Sequence, residues 1–236
     1  MADSFAERHV GGPIYRLARK PDPWAWREWE FADPRTGTFG NRWDDPRGIY
    51  RVLYASRTRI GCFIECLARF RPDPHVLTAM AEIEENVELP ESGTPGTIDA
   101  AWLEERLMGE AYIDNAVLAN VAESKSIAYL NKTLSAVLIE FHIDEFDAAV
   151  LRMKAPRAVT QLVSRSVFEA STSTGASFAG VSYLSRLGDE IENYALFEGA
   201  NWTLAHTKIS PIDPSDPDLV EVCELFGVTI SDSSAA

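Results

Sequence analysis

GNRWDDPRGIYRVLYASRTRIGCFIECLA, residues 40–68, packs a loop, a strand and a helix into one short run. Its DDPRG segment carries the Pro, Gly and Asp of a turn. YRVLYAS (50–56) is rich in aromatic and β-branched residues and reads as a strand. RTRIGCFIECLARF (57–70) reads as a helix, with Ile60, Phe63, Ile64 and Leu67 on one stripe and Ser56 as its N-cap. Glu65 falls off that stripe. Gly61 lies one turn before it and Ala68 beside it, so small neighbours leave room for a ligand. On helix pattern alone, an exposed pair with Arg69 at i,i+4 is the favoured reading of Glu65, worth about 0.3–0.5 kcal/mol.

Outward from this stretch, PIYRLAR (13–19) reads as a short strand and residues 1–12 as a loose arm. The loop-like stretch 20–48, which overlaps the start of the core segment, holds four of the six tryptophans: Trp24, Trp26, Trp29 and Trp43. That much aromatic surface must pack on the core or on a planar ligand. VELPESGTPGTI (88–99) is a turn-rich break. From 100 to about 155 the chain reads as mostly helical, with Ile127, Leu130, Leu134, Val137, Leu138 and Phe141 at helical spacing. AVTQLVSRSVFEA (158–170) reads as an amphipathic helix. FAGVSYLSR (178–186), NYALFE (193–198) and WTLAHT (202–207) read as strands. Strands and helices mix without βαβ alternation, so the expected fold class is α+β.

The net charge of −14 hides an asymmetry. Residues 1–71 hold 13 basic against 9 acidic residues, and residues 72–236 hold 9 against 27. Twelve of the thirteen basic residues in the first part are arginines, which grip phosphates through a planar fork. Charge alone favours the plainer reading, in which they pair with acids from elsewhere in the chain. A net-acidic chain is a poor general nucleic-acid binder. No apolar run is long enough to span a membrane, and MADSFAERHV lacks the apolar core of a secretory signal. Three sparse cysteines, Cys62, Cys66 and Cys223, suit a reducing cytoplasm, the first two as small core residues. The four histidines share no metal-ligand spacing, and no GxGxxG, Walker loop, HExxH or GxSxG occurs. No metal site is expected.

What remains is the pattern Gly40, Asn41, Arg42, Trp43, Asp44, then Tyr54 twelve residues after Arg42 and Glu65 eleven after Tyr54. It resembles the core signature of the RES-domain family, which runs Gly-Gly-Arg-Trp-Asn, a turn, a strand ending in Tyr and a helix carrying Glu. Tyr15 and Arg16 resemble the family's first-strand Tyr-Arg. Ser185 in GVSYLSR resembles its serine, with Ser182 and the TQ segment as alternatives, and Gln161 matches a polar position on the preceding helix. Asn41 and Asp44 depart from the usual glycine and asparagine.

The resemblance implies an ADP-ribosyltransferase-like mixed β core with flanking helices. It places a single domain at 13–210, a largely helical insertion at about 90–150, and flexible ends at 1–12 and 225–236. It implies cleavage of the nicotinamide–ribose bond of NAD⁺ as substrate, by water or by inorganic phosphate as co-substrate, with no separate cofactor. Transfer of ADP-ribose to a protein or small molecule, and an inactive interaction module, are the alternatives. An Xre-like antitoxin and a homo-oligomer are the partners it suggests. In the roles it implies, Glu65 meets positive charge developing at the ribose, as in any oxocarbenium-like step. Arg42 and Arg16 clamp the pyrophosphate or ribose; the alternative for each is an ion pair with Asp44, Asp45 or Glu30. Tyr54 stacks on nicotinamide or is a core tyrosine. Ser185 bonds the ligand from the far strand.

Overall fold

The computed structural model describes residues 4–72, 95–143, 145–153 and 156–231. Eight strands and six helices are found among them: β1 Glu7–Arg19, β2 Val52–Ser56, α1 Arg59–Leu67, β3 Thr97–Asp99, α2 Ala100–Glu104, β4 Arg106–Asn120, α3 Ser124–Glu140, α4 Ala148–Arg152, α5 Arg157–Glu169, β5 Gly180–Ser185, β6 Gly188–Phe197, β7 Thr203–Pro211, α6 Pro217–Phe226 and β8 Thr229–Ser231. Six strands hydrogen-bond in the order β1-β2-β6-β5-β4-β7, β1 also pairs with β4, and β3 pairs with β8. The fold class is α+β. No helix among the described residues is long and apolar enough to cross a membrane.

Residue contacts divide the chain into two compact units. The first is Met1–Ile14, Ala25–Arg57 and Ala111–Thr207; the second is Tyr15–Trp24, Thr58–Glu110 and Lys208–Ala236.

The first unit is built on the three neighbouring strands β2, β6 and β5. Both pairings are antiparallel, with Tyr54 opposite Ala195 and Val181 also opposite Ala195. Gly180 starts β5 because no side chain fits there: at its φ of +154° a Cβ would lie 2.0 Å from the Ala195 carbonyl oxygen. β4 runs parallel to β5 through Leu118–Asn120. Helix α5 buries Val159, Val163 and Val167, one side chain per turn, against Trp43, Tyr50, Val181 and Phe197. Helix α3 buries Leu130 and Leu138, and its buried Ser126 hydroxyl accepts the Ala6 N–H at 2.9 Å. Each fully buried large apolar side chain contributes about 1.5–3 kcal/mol.

The second unit packs α1 on α6. Phe63 and Leu67 are fully buried, as are Leu219 and Val222. Asp216 N-caps α6 ahead of Pro217, and Gly227 closes it in the left-handed conformation. Cys62, a core residue as expected, donates its thiol to the Tyr15 carbonyl at 3.0 Å.

Four expectations are corrected. Residues 7–12 are the first half of β1, not an arm. The region 100–155 is not mostly helical, because β4 occupies 106–120. Ala111 and Ile113 alternate inward, then Ala116 and Leu118 do; the phase slips at Asn115, whose φ is +49°, and that slip hides the strand in the sequence. The N-cap of α1 is Thr58, whose hydroxyl accepts from Gly61; Ser56 is still paired in β2 opposite Asn193. The end does not loosen at 225, since α6 reaches Phe226 and β8 follows. Residues 73–94 and 232–236, which include most of the 88–99 break and the last residues of the tail, lie outside the described residues.

Candidate active site

The signature residues fall into both units. Arg42, Tyr54 and Ser185 belong to the first, Arg16 and Glu65 to the second.

In the first unit the loop 40–44 is pinned by its own motif. Tyr54 donates its hydroxyl to Asp44 Oδ1 at 2.8 Å and accepts the Trp43 N–H at 3.0 Å. Asp44 Oδ2 accepts the Asn41 N–H at 2.7 Å. Burial pushes the Asp44 carboxyl above its ordinary range, against the hydrogen bonds from Asn41 and Tyr54 and the charge of Arg27. Burial first, then the Asp44 charge, pushes the Tyr54 phenol well above its ordinary value. Trp43 is fully buried in the core, so packing beneath the loop is its role.

Helix α5 holds the same loop from the other side. Gln161 donates to the Asn41 carbonyl at 3.0 Å and Arg157 donates to the Gly40 carbonyl. Ser164 donates to the Trp43 carbonyl at 2.6 Å and shares a hydrogen bond with the Tyr50 hydroxyl at 3.0 Å. Arg42 lies in the same loop. Its guanidinium donates to the carbonyls of Leu151 and Met153 at 2.9 and 3.0 Å, at the C-terminal end of α4. Ser185 ends β5, almost fully buried, and its Oγ accepts the Leu187 N–H at 2.9 Å in the turn to β6. Ser182 instead donates to Glu192, which Arg8 grips with two hydrogen bonds. Ser182, Tyr183, Arg8 and Glu192 line a cleft of about 390 Å³ that includes none of the five signature residues.

In the second unit Glu65 is exposed on α1, off the buried stripe, as the sequence predicts. Arg16 is half-buried on β1 and donates Nε to the Pro23 carbonyl at 2.6 Å. The two share a neighbourhood at Cys66. Burial pushes that thiol up to about 11; the charges of Arg16, Arg106 and Arg69 pull against this, and the charge of Glu65 adds to it. Glu65 and three guanidinium groups thus all act on the same thiol.

Two participants were missed at the sequence level. Ser164 is a polar residue one turn after Thr160 on the buried face of α5, a signal that sequence spacing carries. Arg106 gives none, because Cys66, on which its charge acts, lies forty positions away in the chain. Among the described residues no group of His, Cys, Asp and Glu could hold a metal ion.

A solved structure, the MbcT–MbcA toxin–antitoxin complex of M. tuberculosis, contains a chain similar to this one, at 12% identity and a TM-score of 0.48, over 94% of this chain and 92% of that one. No curated protein matches the sequence. The Arg42–Trp43–Tyr54–Glu65 spacing, the strand and helix that carry it, and a match to the RES domain over residues 13–218 agree: the chain belongs to the RES domain family.

Proposed function

We propose that this protein cleaves the bond between nicotinamide and ribose in NAD⁺ and serves as the toxin of a toxin–antitoxin pair in the bacterial cytoplasm. The observation that carries the reading is Glu65, exposed off the apolar stripe of α1 in the field that Arg16 also occupies, at the position where the RES signature has its glutamate.

The chemistry asks little acid catalysis of the protein. The C–N bond breaks with its electron pair going to the nicotinamide nitrogen, which is cationic beforehand and leaves neutral. Positive charge grows at the ribose carbon, and the Glu65 carboxylate stabilises it. Water then adds to give ADP-ribose and a proton, or inorganic phosphate adds to give ADP-ribose 1″-phosphate. Glu65 orients the acceptor. Arg16, in the same unit as Glu65, anchors the anionic dinucleotide; ligand contacts by Arg42, Tyr54 and Ser185 are roles that the family resemblance implies. The hydroxyl of Tyr54 is held by Asp44, so its contribution to the ligand is the ring face.

The test is NAD⁺ loss over time with purified protein, in phosphate buffer and in phosphate-free buffer, with products separated. Free ADP-ribose or its 1″-phosphate is the expected product. Label appearing on a protein target in place of either would establish ADP-ribosyl transfer, and unchanged NAD⁺ in both buffers would remove the reading.

A further inference from the structure

We propose that Ser164 and Tyr50, neither of which belongs to the RES signature, are positioning residues for NAD⁺ binding: they hold the backbone of the 40–44 loop where Arg42 engages the dinucleotide. The proposal rests on the reading of NAD⁺ as substrate and on the anchoring role that the family resemblance implies for Arg42. All the residues involved lie in the first unit.

The peptide groups on both sides of the Trp43 Cα are fixed by two tyrosines of the run YRVLY (50–54). The N–H before it donates to the Tyr54 hydroxyl at 3.0 Å. The carbonyl after it accepts the Ser164 hydroxyl at 2.6 Å, and Ser164 in turn lies 3.0 Å from the Tyr50 hydroxyl. The direction of this relay follows from its protons. A carbonyl only accepts, so the single Ser164 proton is committed to Trp43, and Tyr50 donates to Ser164. Tyr54 acts on the loop directly; Tyr50 acts through one serine of α5.

The Tyr50–Ser164 arm is closed to solvent. Ser164 and Trp43 are fully buried and Tyr50 is almost so. The Tyr50 ring stacks on Phe168 with centroids 4.1 Å apart and lies against Phe197 at 4.8 Å. Water does not replace a bond lost here, and a buried donor or acceptor left without a partner is costly. Gln161 and Arg157 also bond to this loop, at the Asn41 and Gly40 carbonyls, but both bonds are exposed and water competes for the same carbonyls. The buried arm is therefore what fixes the loop.

Arg42 directly precedes the clamped residue. Fixing Trp43 sets the direction in which the chain leaves Arg42, and the carbonyls of Leu151 and Met153 hold its guanidinium at the other end. The side chain is thus ordered before a ligand arrives, so binding does not have to supply that ordering. An anchor that acts equally on substrate and transition state contributes to affinity and not to the chemical step. Loosening the clamp should weaken binding and spare the rate.

Steady-state kinetics of NAD⁺ cleavage by the full chain test the clamp. Ser164→Ala is expected to raise KM for NAD⁺ at least about fivefold, with kcat within about twofold of wild type. A merely structural role has the opposite signature: fewer folded molecules lower the apparent kcat and leave KM alone. Ser164→Thr keeps the hydroxyl and should keep KM near wild type, even though a methyl added at a fully buried position lowers the melting temperature. Tyr50→Phe keeps the ring stack and should raise KM by less than Ser164→Ala; it decides the matter if Ser164→Ala fails to fold. Cleavage by wild type with unchanged KM in Ser164→Ala, or in Tyr50→Phe in its place, overturns the clamp alone. Absence of cleavage by wild type rejects the substrate reading, and calorimetric titration with NAD⁺ then decides. Weaker binding by Ser164→Ala than by wild type supports the clamp; equal affinity, or no binding by wild type, overturns it.

Discussion

Each unit buries an aspartate, and the two are treated oppositely. Asp44 in the first unit is 3% exposed and hydrogen-bonded to Tyr54 and a backbone N–H; burial dominates and raises its pKa. Asp216 in the second unit is 9% exposed, but Arg59 of α1 grips it with two nitrogens and also reaches Asp218 at 3.0 Å; the cation dominates and lowers its pKa. The same residue type thus does two jobs. Asp216 fastens α1, the helix that presents Glu65, to the N-terminus of α6. Asp44 organises a loop whose atoms the RES signature specifies. The difference teaches that a signature residue is not automatically a ligand contact: in the first unit the signature holds itself together, and in the second it stands in an arginine-rich field.

Four substitutions break or sharpen that contrast. Glu65→Gln should reduce NAD⁺ turnover by about 10²–10³-fold or more, because the carboxylate faces developing charge. Its thermal unfolding should match wild type, since Glu65 is exposed; full turnover in this variant would remove the carboxylate from the mechanism. Arg59→Ala leaves Asp216 buried without its cation and should cost about 3–5 kcal/mol in urea unfolding. A loss below about 1 kcal/mol would mean that the pair does not fasten α1 to α6.

Asp44→Asn should change the pH dependence of stability more than its size at neutral pH. A raised pKa means that the Asp44 contribution is present below the ordinary carboxylate value and is lost as pH rises through the folded value. Asp216 has the opposite sign: its contribution is present above the ordinary value and is lost as pH falls through the depressed one. Urea unfolding from about pH 3 to 8 should therefore show Asp44→Asn flattening a decline that begins upward from about pH 4. An unaltered profile would show that Asp44 is ionised at little cost. Ser185→Ala, the smallest effect, should cost about 0.5–1.5 kcal/mol through the lost turn bond to Leu187. If it lowers NAD⁺ affinity more than stability, the serine reaches the ligand as well.

The core segment was the most legible part of the chain. β2 and α1 form where alternation and the Ile60–Phe63–Ile64–Leu67 stripe put them, and Glu65 points away from the buried face as its spacing requires. Helix α5 was legible for the same reason, while β5 and β6 were legible as short apolar runs buried at consecutive positions. β4 was not, because a left-handed residue at Asn115 shifts its alternation by one position. The partners of Arg42 were not either. A guanidinium can pair with any nearby carboxylate or carbonyl, and the carbonyls of Leu151 and Met153 lie more than a hundred positions away.

The sequence by itself determined the family, the α+β class and the helix face that bears Glu65, because these depend on residue type, spacing and local periodicity. Tertiary structure alone decided that Tyr54 is bound to Asp44, that Arg42 caps α4 and that Arg59 grips Asp216. Those outcomes depend on which long-range surfaces meet, and hydrogen bonds and stacking act only over a few ångströms once the chain has brought them there.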